Sequence, residues 1–118
     1  MAQAERLLRG LKEAGAAPLE LVESLGGSPD HVFIPVGNAG NITAYWLGFV
    51  EALSRGWASG RPRMMGFQAE GAAPIVRGEP VAEPRSIASA IRVGKPASWD
   101  GAVRARDESG GTVDAVPD

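Results

Sequence analysis

A chain of 118 residues with 44% apolar side chains suits one domain with an ordinary core, and twelve basic against fourteen acidic residues leave a formal charge of -2. No basic block offers a footprint to a nucleic-acid backbone, and no polybasic patch or long apolar run suits a membrane, so neither partner is expected and a soluble cytoplasmic protein is. The lack of cysteine removes disulfides and thiolate metal ligands, and no metal site is expected.

Ala4, Leu7, Leu8, Leu11 and Ala14 form one helical stripe, which predicts a helix over 2–14 stopped by Gly15. A second helix is predicted from Pro18, carrying Leu19, Leu21, Val22 and Leu25 inward until Gly26-Gly27 ends it. Ser28-Pro29-Asp30 turns the chain into Val32, Phe33, Ile34 and Val36, a β-rich run of the kind buried on both faces. Pro35 is the one residue that argues against a central position for this strand. From Ile42 the apolar residues Tyr45, Trp46, Phe49, Val50 and Leu53 continue a single stripe along a long helix, with Trp46 expected in the core. His31, the only histidine, stands at the strand's N-terminal end, opposite the loop that follows it, and is not expected to act in chemistry.

Between strand and helix lies Gly37-Asn38-Ala39-Gly40-Asn41. Its glycines permit close backbone approach and its asparagines favour turns and caps. Several N–H groups turned one way, added to the positive end of the helix dipole, make a site for a phosphate or carboxylate without a basic side chain. A tight strand-to-helix turn with no ligand accounts for the spacing equally well. A P-loop is excluded, because no lysine lies near position 40. The dinucleotide fingerprint lacks its third glycine, although Glu70 imitates its ribose-binding carboxylate; a mononucleotide-binding module therefore stays as an alternative.

Beyond a loop at 56–62, residues 63–69 read as a second strand in which Met64, Met65 and Phe67 supply bulk, and strand, helix, strand implies a right-handed parallel crossover. Gln68, Ala69, Glu70 and Gly71 should then emerge on the same sheet edge as the glycine-asparagine loop, both facing one site. A short helix is predicted to begin within 71–74, a loop over 78–84, and a helical segment over 86–91 with Ile87, Ala90 and Ile91 on one side. Val93-Gly94-Lys95-Pro96 must turn. Ser98 is placed to cap a helix over 99–108, whose Arg104, Arg106, Asp107 and Glu108 form a solvated side, and 112–116 reads as a last short strand. Asp118 stands where a further helix would be capped.

The stretches HVFIPVGNAGNITAYWLGF, RMMGFQAEGAAPIVRG, SIASAIRVGKPASWDGAVRA and ESGGTVDAV resemble, in order and spacing over roughly 19–118, the middle of the threonine synthases, pyridoxal-phosphate lyases of the tryptophan-synthase-β (fold type II) superfamily. The resemblance implies an α/β fold, a partial three-layer sandwich with a small parallel sheet. It treats 1–118 as one partial domain, with 1–18 matching poorly and 19–118 carrying the cofactor-phosphate region. It implies pyridoxal 5'-phosphate as cofactor, held through its phosphate by Gly37, Asn38, Ala39, Gly40 and Asn41, and conversion of O-phospho-L-homoserine and water to L-threonine and phosphate. The family's Schiff-base lysine lies well upstream of this loop, and neither Lys12 nor Lys95 stands in a matching motif. The polar partner of the pyridine nitrogen belongs to a later segment. The expectation is an incomplete copy with no catalytic residue of its own, completed by a complementary chain or acting as a homodimer. The alternative is a non-catalytic phosphate-binding or assembly fragment.

Overall fold

A computed structural model describes residues 18–118, so the helix expected over 2–14 lies outside the described residues. The described chain divides into two compact units, 18–30 with 44–62 and 31–43 with 63–118.

The first unit holds α1 (Pro18–Leu25) and most of α2 (Gly40–Ser54). Proline at the first helical position starts α1 as expected. Gly26, at φ 72, stops it while the Gly27 N–H donates to the Val22 carbonyl at 3.0 Å. Val22 is buried, but Leu25 is 61% exposed, not turned inward, because it falls in the last turn beside the glycine stop. In α2 the stripe holds: Trp46, Phe49 and Ala52 are buried, and Gly48 lies so close to Pro18 that a Cβ would overlap the ring. Helix α2 ends like α1, with Gly56 at φ 75 and the Trp57 N–H on the Ala52 carbonyl at 2.9 Å.

The second unit is built on a parallel sheet of β1 (His31–Pro35), β2 (Arg63–Ala69) and β3 (Thr112–Val116) in that spatial order. Pro35 lies opposite Phe67, and Ala69 opposite Val116. The first turn of α2, which belongs to this unit, and the later α4 (Trp99–Ser109) pack on one face of the sheet. There Ile34, Met64, Gly66, Gln68 and Val113 are buried, and the Ile42 and Val113 side chains close over Gly66. The other face carries Phe33, Met65 and Phe67 and is open. Phe33 is 67% exposed and stacks on Phe67 at 6.0 Å. The run around Phe33 is thus buried on one face only: β1 is an edge strand, where a proline is tolerated. Of the expected layers, the described residues of this unit supply the sheet and its helices on one side.

Between β2 and β3 run a 3-10 turn (Glu70–Ala72), α3 (Pro74–Arg77), a second 3-10 turn (Ser89–Ile91) and α4. The helix expected over 86–91 shrinks to that second turn, with Ile87 87% exposed. The Asp118 carboxylate accepts the Ser86 hydroxyl at 2.7 Å and the Ile87 N–H at 3.2 Å, which ties the start of this segment to the strand end beyond β3. Ser98 does occupy the N-cap of α4, but its side chain makes no capping bond. The buried Gln68 does the capping for α3: its Oε1 accepts the N–H groups of Ile75 (3.1 Å) and Val76 (3.3 Å), where the N-cap residue Ala73 has no side-chain oxygen to offer.

Candidate anion-binding site

At the C-terminal end of β1 a cavity of about 280 Å³ is lined by Pro35, Gly37, Asn38, Ala39, Gly40, Asn41, Ala90 and Ile91. All five residues of the glycine-asparagine loop therefore face one space. The wall opposite them comes from the second 3-10 turn, and Gly37 is in contact with it: a Cβ on residue 37 would overlap the Ala90 carbonyl oxygen.

The loop's conformation follows from where its carbonyls go. The Asn38 carbonyl accepts the Ser98 N–H at 2.8 Å. The Ala39 carbonyl accepts the Thr43 N–H at 3.2 Å, the first bond of α2, and the Thr43 hydroxyl at 2.7 Å. In a trans peptide the N–H points opposite to the C=O, so these bonds fix the directions of the Ala39 and Gly40 N–H groups. Ala39 itself sits at φ 68, a left-handed geometry that costs an L-residue about 1–2 kcal/mol and is held by the bonds on either side of it. The N–H groups of Gly40, Asn41 and Ile42, in the first turn of α2, have no acceptor within the helix. No acidic residue stands in that turn or in the cavity lining.

Donors without acceptors, a helix N-terminus and the absence of carboxylates fit a phosphate group. Small-ligand sites run to about 300–1,000 Å³, so a cavity of about 280 Å³ matches the phosphate end of a ligand and part of what it carries.

Other residues singled out from the sequence lie elsewhere. Glu70 is exposed at the start of its 3-10 turn and does not line the cavity, and Gln68 is engaged with α3, so the loop after β2 shares the sheet edge but not the cavity. His31 is exposed and stacks on Phe33 at 6.1 Å. Lys95 is exposed in the expected turn. Sequence reasoning missed Ala90 and Ile91 as a wall, and Thr43, Ser98 and Gly101 as supports. One signal was present: Gly101 interrupts a helix, where glycine costs about 1 kcal/mol relative to alanine, and so marks a close contact. Among the described residues no His, Cys, Asp or Glu cluster suits a metal, and no helix is long and apolar enough to cross a membrane.

The family model for pyridoxal-phosphate dependent enzymes matches residues 9–118, and the chain belongs to that family. Within it the chain is similar to curated threonine synthases. The one from Synechocystis sp. is 52% identical over 102 residues, covering 86% of this chain and 27% of the relative. That from Mycobacterium tuberculosis is 54% identical over 102 residues, 86% of this chain and 28% of the relative. That from Halalkalibacterium halodurans is 56% identical over 99 residues, 84% of this chain and 28% of the relative. The chain thus spans little more than a quarter of the length of these relatives. The implied cofactor is pyridoxal 5'-phosphate, and its phosphate ester is the kind of group that the cavity's donors fit.

Proposed function

We propose that Gly37, Asn38, Ala39, Gly40 and Asn41 hold the phosphate of pyridoxal 5'-phosphate, as part of a cytoplasmic threonine-synthase-type site converting O-phospho-L-homoserine and water to L-threonine and phosphate. The observation that carries this reading is the pinning of the Asn38 and Ala39 carbonyls, which aims successive N–H groups the other way, at the start of α2. The bound cofactor would supply an electron sink in its pyridine ring. The task of this chain's residues is to bind and orient it: the backbone donors fix the phosphate, and Ala90 with Ile91 forms an apolar wall.

No lysine lines the cavity, and Lys95 is exposed in its turn. The lysine that anchors the cofactor is therefore placed outside this cavity. A mononucleotide ligand is disfavoured because Glu70, its candidate ribose partner, does not line the cavity.

Equilibrium dialysis of the chain against pyridoxal 5'-phosphate, pyridoxal and adenosine monophosphate tests the proposal. Saturable binding of the phosphorylated cofactor, at least about tenfold tighter than pyridoxal and uncontested by the nucleotide, is expected for a site that reads the phosphate through charge-assisted hydrogen bonds. Equal affinity for pyridoxal with and without its phosphate, or preference for the nucleotide, overturns it.

A further inference from the structure

We propose that Thr43 is a positioning residue for the loop: packed against Gly101 of α4, its hydroxyl holds the Ala39–Gly40 peptide in the orientation that presents the Gly40 N–H to the cavity. The proposal rests on the phosphate-binding reading of the loop and goes beyond it by assigning what sets the loop's shape.

A helical threonine commonly bonds the carbonyl four residues back, and in a helix interior this has little consequence. Here the acceptor is the Ala39 carbonyl, at the N-cap, on a residue held at φ 68. Flipping the 39–40 peptide would change ψ of Ala39 and φ of Gly40, a change that a glycine tolerates, and would turn the Gly40 N–H away. Two bonds to one oxygen oppose that flip, from the Thr43 N–H at 3.2 Å and the Thr43 Oγ1 at 2.7 Å. The first forms in any helix starting at this point. The second is specific to a hydroxyl side chain.

Gly101 leaves room for the rotamer that makes the second bond. A Cβ on residue 101 would overlap both Oγ1 and Cγ2 of Thr43, so the threonine side chain fills the space which any larger residue of α4 would take. One turn earlier, the Ser98 N–H holds the preceding carbonyl, that of Asn38, at 2.8 Å. The first turn of α4 thus braces two consecutive peptides of the loop, one directly and one through Thr43.

The test compares Thr43→Val, which keeps the shape and removes the hydroxyl, with Thr43→Ser, which restores it. The readouts are the Ala39 Cα and Cβ chemical shifts, which report its φ and ψ, and the affinities for pyridoxal 5'-phosphate and pyridoxal. The expected result for Thr43→Val is loss of the wild-type Ala39 shift pattern and about tenfold weaker binding of the phosphorylated cofactor, with pyridoxal affinity unchanged. Thr43→Ser is expected to keep both the pattern and the affinity. A Thr43→Val chain that retains the Ala39 pattern and the ratio of the two affinities overturns the proposal, as does equal loss in Thr43→Ser, which would mark a packing role. Should Thr43→Val not fold, Thr43→Ala against Thr43→Ser decides by the same readouts. A wild-type chain that does not distinguish pyridoxal 5'-phosphate from pyridoxal would defeat the phosphate reading, while the Ala39 shifts would still decide the positioning role.

Discussion

Gly37 and Ala90 meet backbone to backbone: the Cα of Gly37 lies so near the Ala90 carbonyl oxygen that no Cβ fits between them. The cavity owes its shape to this contact, since it brings the wall of Ala90 and Ile91 against the start of the loop. Gly37→Ala is therefore expected to push the two segments apart, at a cost of about 1–3 kcal/mol for overpacking. Urea denaturation reads the stability, and dialysis against pyridoxal 5'-phosphate is expected to show weakened binding.

Gln68 presents two opposed effects. Its Oε1 satisfies two N–H groups of α3, while its Nε2 is buried with no partner among the described residues. Gln68→Met removes both, stranding two backbone donors but relieving one amide. Because two orphaned N–H groups outweigh one, a net loss of about 1–2 kcal/mol is expected in chemical denaturation. An unchanged midpoint would mean that α3 does not depend on this cap.

Phe33 and Phe67 stack on the open face of the sheet, with Phe33 67% exposed. Parallel sheets are ordinarily covered on both faces, and an exposed apolar patch of this kind promotes association. Phe33→Thr puts a β-branched residue, suited to a strand, at this position. It is expected to change stability by no more than about 0.5 kcal/mol, as at other surface sites, and to reduce concentration-dependent light scattering. Undiminished scattering would place the sticky surface elsewhere.

What the sequence made legible was local. The stripe of Ile42, Trp46 and Phe49 specifies α2, the bounds of β2 and β3 fall where alternation and turn residues put them, and the five loop residues were identifiable because glycine and asparagine between strand and helix have a backbone reason to be there. What was hidden depends on distant partners. Phe33 reads as a core residue until it is seen on the face of the sheet that the described residues of its unit leave open. Residues 86–91 read as helix, and nothing in that window announces that Asp118 takes the Ser86 hydroxyl and the Ile87 N–H. Thr43 and Gly101 are 58 positions apart and unremarkable singly; their contact exists only once the first turn of α2 and α4 come together in the folded unit.

The most direct test of the central claim is Gly40→Asp. A Cβ at residue 40 meets nothing within 4 Å, so the substitution is sterically free. A carboxylate in the first turn of α2 favours the helix dipole by about 0.3–1 kcal/mol, so folding should be kept or strengthened. The same charge would repel a phosphate and compete for its N–H donors. Equilibrium dialysis against pyridoxal 5'-phosphate, paired with a denaturation curve, separates the two effects: saturable binding by the wild-type chain, lost in a Gly40→Asp chain of equal or greater stability, is the predicted result. Binding that survives the aspartate unchanged would contradict the assignment of this loop as the phosphate cradle.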